Sequence, residues 1–323
     1  MGTDDIQVFV VTYDRPDYLA LQLETLAAQT AKPASITVLD DGPNPETRRV
    51  AERFAAAGIG YEHTDRPGLW GNIYEAQQRA SAKYVAVFHD DDKTHPRYLE
   101  LAGKAIAKDP SISLIGCVGT NRPPEDDPGF GEVDDIGWQF DSRSFAAAFV
   151  NGMGTHFPFY IYRTAEFKKL DIYKYLDYNG PYGKWGDSAF VPLAVGEGSA
   201  IMFRSILASY GCHPGQAVRG RGDLPDVRCW ARIEAVFAKL VGDSIGDIHG
   251  FTYAARNYGR LKRGYKRRGV RTISFDEYMD FAKEEGALVK WAPLLRPLGA
   301  HFVEKLLLRN YRQRLAKHQK HLT

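Results

Sequence analysis

Three consecutive carboxylates, Asp90-Asp91-Asp92, follow the apolar run Tyr84-Val85-Ala86-Val87-Phe88 and His89. Adjacent like charges at a strand end repel unless a cation or solvent compensates them. A hard divalent ion such as Mn2+ or Mg2+, completing its shell with a diphosphate, is one compensation. A solvated acidic turn is the other. A second acidic step, Asp40-Asp41-Gly42, ends the run Ser35 to Leu39. It reads either as a plain turn or as a carboxylate that accepts hydrogen bonds from a nucleobase edge. In Trp185-Gly186-Asp187-Ser188, Asp187 opens a helical pattern. It can cap that helix or act as a general base that takes a hydroxyl proton. Trp185 and nearby Tyr182 offer an apolar wall for a sugar ring, or core packing. His213, in Tyr210-Gly211-Cys212-His213-Pro214, suits either a structural role or Mn2+ ligation.

These residues need a frame. Ile6 to Tyr13 is a buried-strand pattern, and helical spacing follows through Tyr18, Leu19, Leu23 and Leu26. A strand over Ser35–Leu39, a helix through Arg49 to Ala57 ending at Gly58, and a strand Gly60 to His63 come next. A helix from about Asn72 to Ser81 leads into the strand Tyr84–Phe88. This βαβα order predicts an α/β fold with a mostly parallel sheet and helices on both faces. Ligands in such sheets gather at the carboxyl ends of the strands, so both acidic clusters are expected on one rim. The stretch Asn121 to Gly137 reads as a loop. Strands are expected over Met153–Tyr162 and Ala200–Tyr210. Beyond about Arg221 the pattern is purely helical, with a capping-box spacing at Ser274-Phe275-Asp276-Glu277.

The motifs Val11-Thr12-Tyr13-Asp14-Arg15-Pro16, Val38-Leu39-Asp40-Asp41-Gly42, Gly71-Asn72 and Tyr84 through Asp92 occur together in one order. In that order and spacing the chain resembles the family 2 glycosyltransferases over roughly residues 5–215. The resemblance implies the GT-A fold, two abutting βαβ halves forming a Rossmann-like nucleotide-sugar domain. It implies Thr12, Arg15, Asp40, Asp41, Asn72 and Asp90 at the nucleotide, with UDP the favoured carrier. Two registers of the family's DXD motif are open. In one, His89 stands at the first position and Asp91 is the principal metal ligand; in the other, Asp90-Asp91-Asp92 is itself the motif. Asp91, Asp92 and His213 are assigned to Mn2+ or Mg2+, Asp187 to the general base of an inverting transfer, and Trp185 and Tyr182 to the sugar or acceptor. A glycan or lipid-linked saccharide is the expected acceptor, with bacterial envelope polysaccharide as the destination on family grounds.

At 323 residues with 44% hydrophobic and 25% charged content, the chain can bury a sizeable core without disulfides. Cys117, Cys212 and Cys229 lack metal or redox spacing and read as buried, reduced thiols. The N-terminus shows no leader pattern, and no run of about 18 apolar residues suits a membrane span, so a cytoplasmic protein is expected. Residues 1–220 form the expected catalytic domain and 221–323 a basic helical region. Arg256 to Arg271 carries eight Lys or Arg and no acid, and large apolar residues from Leu294 to Leu307 recur at helical intervals. Such a pattern suits peripheral attachment to an anionic membrane surface at its inner face, or a helix packed on the catalytic domain. No nucleic-acid-binding motif accompanies it. Two other readings remain: a sugar-phosphate nucleotidyltransferase, disfavoured by the lack of glycine in Thr12-Tyr13-Asp14-Arg15-Pro16, and an inactive glycan-binding or membrane scaffold.

Overall fold

The computed structural model describes residues 3–66, 68–122, 130–149, 157–211, 227–241, 284 and 319–321. In chain order the elements are β1 (Ile6–Thr12), α1 (Pro16–Ala27), β2 (Ser35–Asp40), α2 (Pro45–Arg53), β3 (Ile59–His63), α3 (Leu69–Arg79), β4 (Tyr84–His89), β5 (Lys93–Thr94), α4 (Tyr98–Lys108) and β6 (Ile112–Arg122). Then follow β7 (Ile136–Asp141), α5 (Ser142–Ala148), β8 (Tyr160–Arg163), α6 (Thr164–Phe167), α7 (Ile172–Leu176), α8 (Asp187–Leu193), β9 (Ser199–Gly211), α9 (Val227–Val241) and β10 (Gln319–His321).

The strands form one sheet in the order β10-β7-β9-β6-β8-β4-β1-β2-β3, with the short β5 paired to β9. β3, β2, β1 and β4 are parallel neighbours. Beyond them the sheet is mixed: β8 runs antiparallel between β4 and β6, β9 is parallel to β6, and β7 is antiparallel to β9. Alternation along β1 explains the layering. Ile6, Val8 and Val10 face a core shared with Leu19 and Leu23 of α1, Val50 of α2 and Leu101 of α4. Phe9 and Val11 face the opposite core, shared with Ile73 of α3, Phe190 of α8 and Phe237 of α9. Strands buried on both faces read as near-continuous apolar runs, which is why the central ones were visible in the sequence. The expected α/β architecture with helices on both faces is thus present.

The boundaries shift in instructive ways. The second helix starts at Pro45, a turn earlier than its apolar spacing indicates, because the Asn44 side chain caps it by accepting from the Glu46 amide at 3.0 Å. It ends at Arg53, and a separate 3-10 turn, Ala55–Ala57, carries the chain to Gly58. The third helix starts at Leu69 rather than Asn72. The late strand expected over Met153–Tyr162 is confined, among the described residues, to Tyr160–Arg163, preceded by a 3-10 turn at Phe157–Phe159. The expected loop Asn121–Gly137 is narrower, since β6 runs to Arg122 and β7 begins at Ile136.

The segment past residue 220 is not helical throughout. Gln319–His321 adds an antiparallel strand to β7, whose edge offers unpaired backbone groups that local helical periodicity cannot satisfy. α9 packs Ile233, Val236 and Phe237 into the same core as α8 and α5. Cys117 and Cys229 are buried thiols; burial pushes Cys117 up to about 12. No helix among the described residues is long and apolar enough to cross a membrane. Cys212, His213, the boundary at 220, the capping box at Ser274 to Glu277, and the basic stretches 256–271 and 290–318 lie outside the described residues.

Candidate active site

The register of the parallel strands brings the acidic turns together. Thr12 pairs with Asp40 across β1 and β2, and Val11 pairs with His89 across β1 and β4. The Asp90 amide donates to the Val11 carbonyl at 3.2 Å. Both acidic clusters therefore leave the sheet on one rim, beside the first turn of α1.

At the end of β2 the carboxylates are already bonded. Asp40 is fully buried; it accepts from the Gly42 amide at 2.8 Å and the Tyr61 hydroxyl at 2.9 Å. Burial raises its pKa, and the Tyr61 hydroxyl is pushed up to about 12 by burial and by the same carboxylate. Asp41 accepts from the Gly68 amide and from Asn72 Nδ2 at 2.6 Å. Gly68 reaches this position with φ 87°, a left-handed conformation that a side chain would oppose. Asn72 is itself buried, with its carbonyl accepting from Thr64 Oγ1 at 2.5 Å and its amide also near the Thr12 carbonyl at 3.4 Å. Asn72 thus joins the ends of β1, β2 and β3, and its side chain is spent on protein contacts.

Asp90 belongs to this bonded group. It is fully buried and accepts from Thr12 Oγ1 at 2.7 Å, and its other oxygen pairs with Arg15 Nη2 at 2.5 Å. Arg15 precedes α1 without capping it by its side chain; the guanidinium reaches across to Asp90 and, at 3.0 Å, to Asp91. Burial still pushes Asp90 upward against that cation.

The next two acids differ. His89, Asp91 and Asp92 each offer one ligand atom within 4.8 Å of the others. Asp92 is buried, and burial with the Asp91 charge holds its pKa well above the ordinary carboxylate range. One of its oxygens accepts from the Gly211 amide at 3.2 Å, while the other, Oδ2, is buried with no hydrogen-bond partner among the described residues. Such an orphaned oxygen is costly unless a cation occupies the site, so the donor set of imidazole and two carboxylates fits Mn2+ or Mg2+. A Cβ on Gly211 would overlap the Asp91 carbonyl oxygen, so glycine is required where β9 closes on this turn. Of the two DXD registers, the geometry groups His89 with Asp91 and Asp92 and turns Asp90 away toward Thr12 and Arg15.

A cleft adjoins the cluster through His89; Asp187, Trp185, Trp70, Tyr178 and Tyr210 are among its other walls. Asp187 is the first residue of α8, not its cap, which is Gly186. Its carboxylate accepts from the amides of Phe157 and Ser188, yet burial raises its pKa to about 6. An acid tuned to that value is largely ionised at neutral pH and retains enough basicity to accept a hydroxyl proton. Tyr182 is buried with its ring 4.9 Å from Tyr175 and is not among the residues lining the cleft. Trp70 was missed in the sequence, although an indole one residue before Gly71-Asn72, in the first turn of a helix, was a usable signal.

A family model described as glycosyl transferase family 2 matches residues 7–169, half of the chain. The chain belongs to glycosyl transferase family 2. Among solved structures, this glycosyltransferase is similar to S. aureus TarS 1–349 in complex with UDP-GlcNAc, at 16% identity and a TM-score of 0.64, covering 95% of this chain and 89% of that one. The same protein in complex with UDP matches at 15% identity and a TM-score of 0.61, with the same coverage. A longer S. aureus TarS structure matches at 18% identity and a TM-score of 0.60, over 95% of this chain and 54% of that one. At these identities the likeness shows the shared GT-A fold. No curated protein matches the chain in sequence.

Proposed function

We propose that the glycosyltransferase moves a sugar from a UDP-sugar donor to a hydroxyl of a saccharide acceptor by an inverting, metal-assisted displacement. The observation that carries this reading is the cleft itself, which joins a carboxylate poised near pH 6 to an imidazole of the His89–Asp91–Asp92 cluster. UDP is favoured because the similar S. aureus TarS structures hold UDP-GlcNAc and UDP.

Thr12, Arg15, Asp40 and Asp41 frame the nucleotide at the ends of β1 and β2, with Asn72 fixing Asp41 in place. His89, Asp91 and Asp92 would hold Mn2+ or Mg2+; His213, the further ligand expected from the sequence, lies outside the described residues. Held by these residues, such an ion would supply charge stabilisation to the departing diphosphate, more in the transition state than in the ground state. Asp187 takes the acceptor hydroxyl proton as its oxygen attacks the anomeric carbon, and the sugar–phosphate bond breaks on the opposite face. No covalent enzyme intermediate is needed, and orientation of two bound substrates supplies much of the rate. The basic stretch Arg256 to Arg271 supports a second element of the reading, attachment at an anionic membrane that carries a lipid-linked envelope acceptor.

UDP release from UDP-GlcNAc, with and without Mn2+ and with Asp187→Asn alongside, tests the reading. Release is expected only with the ion, and Asp187→Asn is expected to lower kcat about 10²–10⁴-fold while UDP affinity stays within about threefold. Ion-independent release, or an unchanged rate in the variant, contradicts it.

A further inference from the structure

Asp187 is seated by a residue that serves two sides of the cleft. Phe157 donates its backbone N–H to the Asp187 carboxylate, and its ring lies against the His89 imidazole, with centroids 6.3 Å apart and planes at 34°. The other backbone amides that Asp187 accepts, its own and that of Ser188, belong to the first turn of α8 itself. The Phe157 amide therefore ties the carboxylate to a different segment, the 3-10 turn Phe157–Phe159 before β8. Carboxylate and imidazole share one support.

That support has an anchor of its own. Pro158 follows Phe157, so the peptide between them has no N–H, and its carbonyl is the polar handle by which it can be held. The Tyr162 hydroxyl donates to that carbonyl at 3.0 Å. Tyr162 is fully buried on β8, where it pairs with Val85 of β4 on one side and Leu114 of β6 on the other. The hydroxyl is thus fixed to the middle of the sheet. Its ring stacks on Phe157, with centroids 5.6 Å apart and planes at 29°. Phe190, one turn after Asp187 in α8, meets both rings near edge-on. Burial holds the Tyr162 hydroxyl protonated, so it is a permanent donor. Phenylalanine would fill the same space; the hydroxyl adds one directed bond, and that bond falls on the residue that holds Asp187.

We infer that Tyr162 is a positioning residue for the transfer: its hydroxyl fixes the Phe157 backbone so that the Phe157 N–H stays aimed at the Asp187 carboxylate. This rests on the reading of Asp187 as the base and deepens it. Placement matters because a displaced proton acceptor loses rate without losing substrate.

The test uses the full chain with Mn2+ and UDP-GlcNAc and reads UDP release. Tyr162→Phe keeps the ring contacts and removes the bond to the carbonyl. It is expected to lower kcat about tenfold, with KM for UDP-GlcNAc and UDP affinity within about threefold. The acid limb of the kcat/KM profile is expected to move up by about half a pH unit, since an amide donor that favours the ionised carboxylate is loosened. In an Asp187→Asn background the same substitution should lower kcat by less than about twofold, because Tyr162 acts through that carboxylate. Tyr98→Phe is the control. It removes another buried hydroxyl from the same turn, one that donates to the Phe159 carbonyl at 2.7 Å, and should lower the melting temperature yet keep kcat within about twofold. A kcat for Tyr162→Phe within about twofold of wild type overturns the inference. So does an equal loss in the Asp187→Asn background, or an equal loss in Tyr98→Phe. A Tyr162→Phe chain that does not fold assigns the hydroxyl to stability and overturns it too. Wild type that releases no UDP, or Asp187→Asn that releases it as fast, contradicts the transfer reading itself, a result separate from all of these.

Discussion

The carboxylates of Asp40, Asp41 and Asp90 and those of Asp92 and Asp187 are the same chemical group in two settings. Asp40 and Asp41 direct their oxygens to Gly42, Tyr61, Gly68 and Asn72, and Asp90 directs its own to Thr12 and Arg15. Asp92 leaves a buried oxygen without a partner among the described residues, and Asp187 is held up to about 6 by burial. The first set is satisfied by the protein and shapes a rim. In the second, Asp187 accepts from two amides and is raised by burial, while Asp92 is the acid under-compensated among the described residues. A bare count of acidic residues merges Asp90 with Asp92, while the Arg15 ion pair on Asp90 Oδ1 separates them.

That contrast can be strained at its strongest point by pH. Asp187 must be ionised to accept a proton, so kcat/KM is expected to fall as pH drops through about 6, losing about tenfold per unit below it. Stability should move the other way. A raised carboxylate pKa favours the protonated folded form, so its contribution is full below the unfolded value and is lost as pH rises toward 6. The melting temperature of wild type relative to Asp187→Asn should therefore decline between about pH 4 and 6. A flat difference removes the tuned carboxylate from the account. A milder probe is Asn72→Ala, which frees Asp41 from its amide partner without touching the cleft. The expected result is a rise in donor KM of about tenfold, or 1.4 kcal/mol, with kcat little changed. A fall in kcat with KM unchanged would erase the line between the bonded and the open acids.

Much of the frame was legible because the central strands are buried on both faces. Ile6 to Tyr13 and Tyr84 to Phe88 read as strands, and their ends do bring the acidic turns to one rim. The insertion of β8 between β4 and β6 was not legible, since nothing in Tyr160–Arg163 marks which neighbours it pairs with, or in which direction. The second helix starts earlier where the Asn44 cap outweighs apolar spacing, and the third starts at Leu69, after Gly68. Within the site, the sequence supplied the right acids without their division of labour. Asp90 and Asp92 are equivalent in a string of letters, and only the turn after β4 brings one to Arg15 and the other to Gly211. Tyr182 and Trp70 show the same limit for aromatics: Tyr182, expected as a wall, is buried against Tyr175, and Trp70, which the sequence reading passed over, lines the cleft.

Binding of Mn2+, read as loss of the free-ion electron paramagnetic resonance signal, addresses the division between the two sets of acids most directly. The account predicts that Asp92→Asn abolishes tight binding, since it removes an oxygen with no other partner among the described residues, while Asp40→Asn, whose oxygens bond Gly42 and Tyr61, leaves it within about threefold. Equal losses in the two variants, or loss in Asp40→Asn alone, would contradict it.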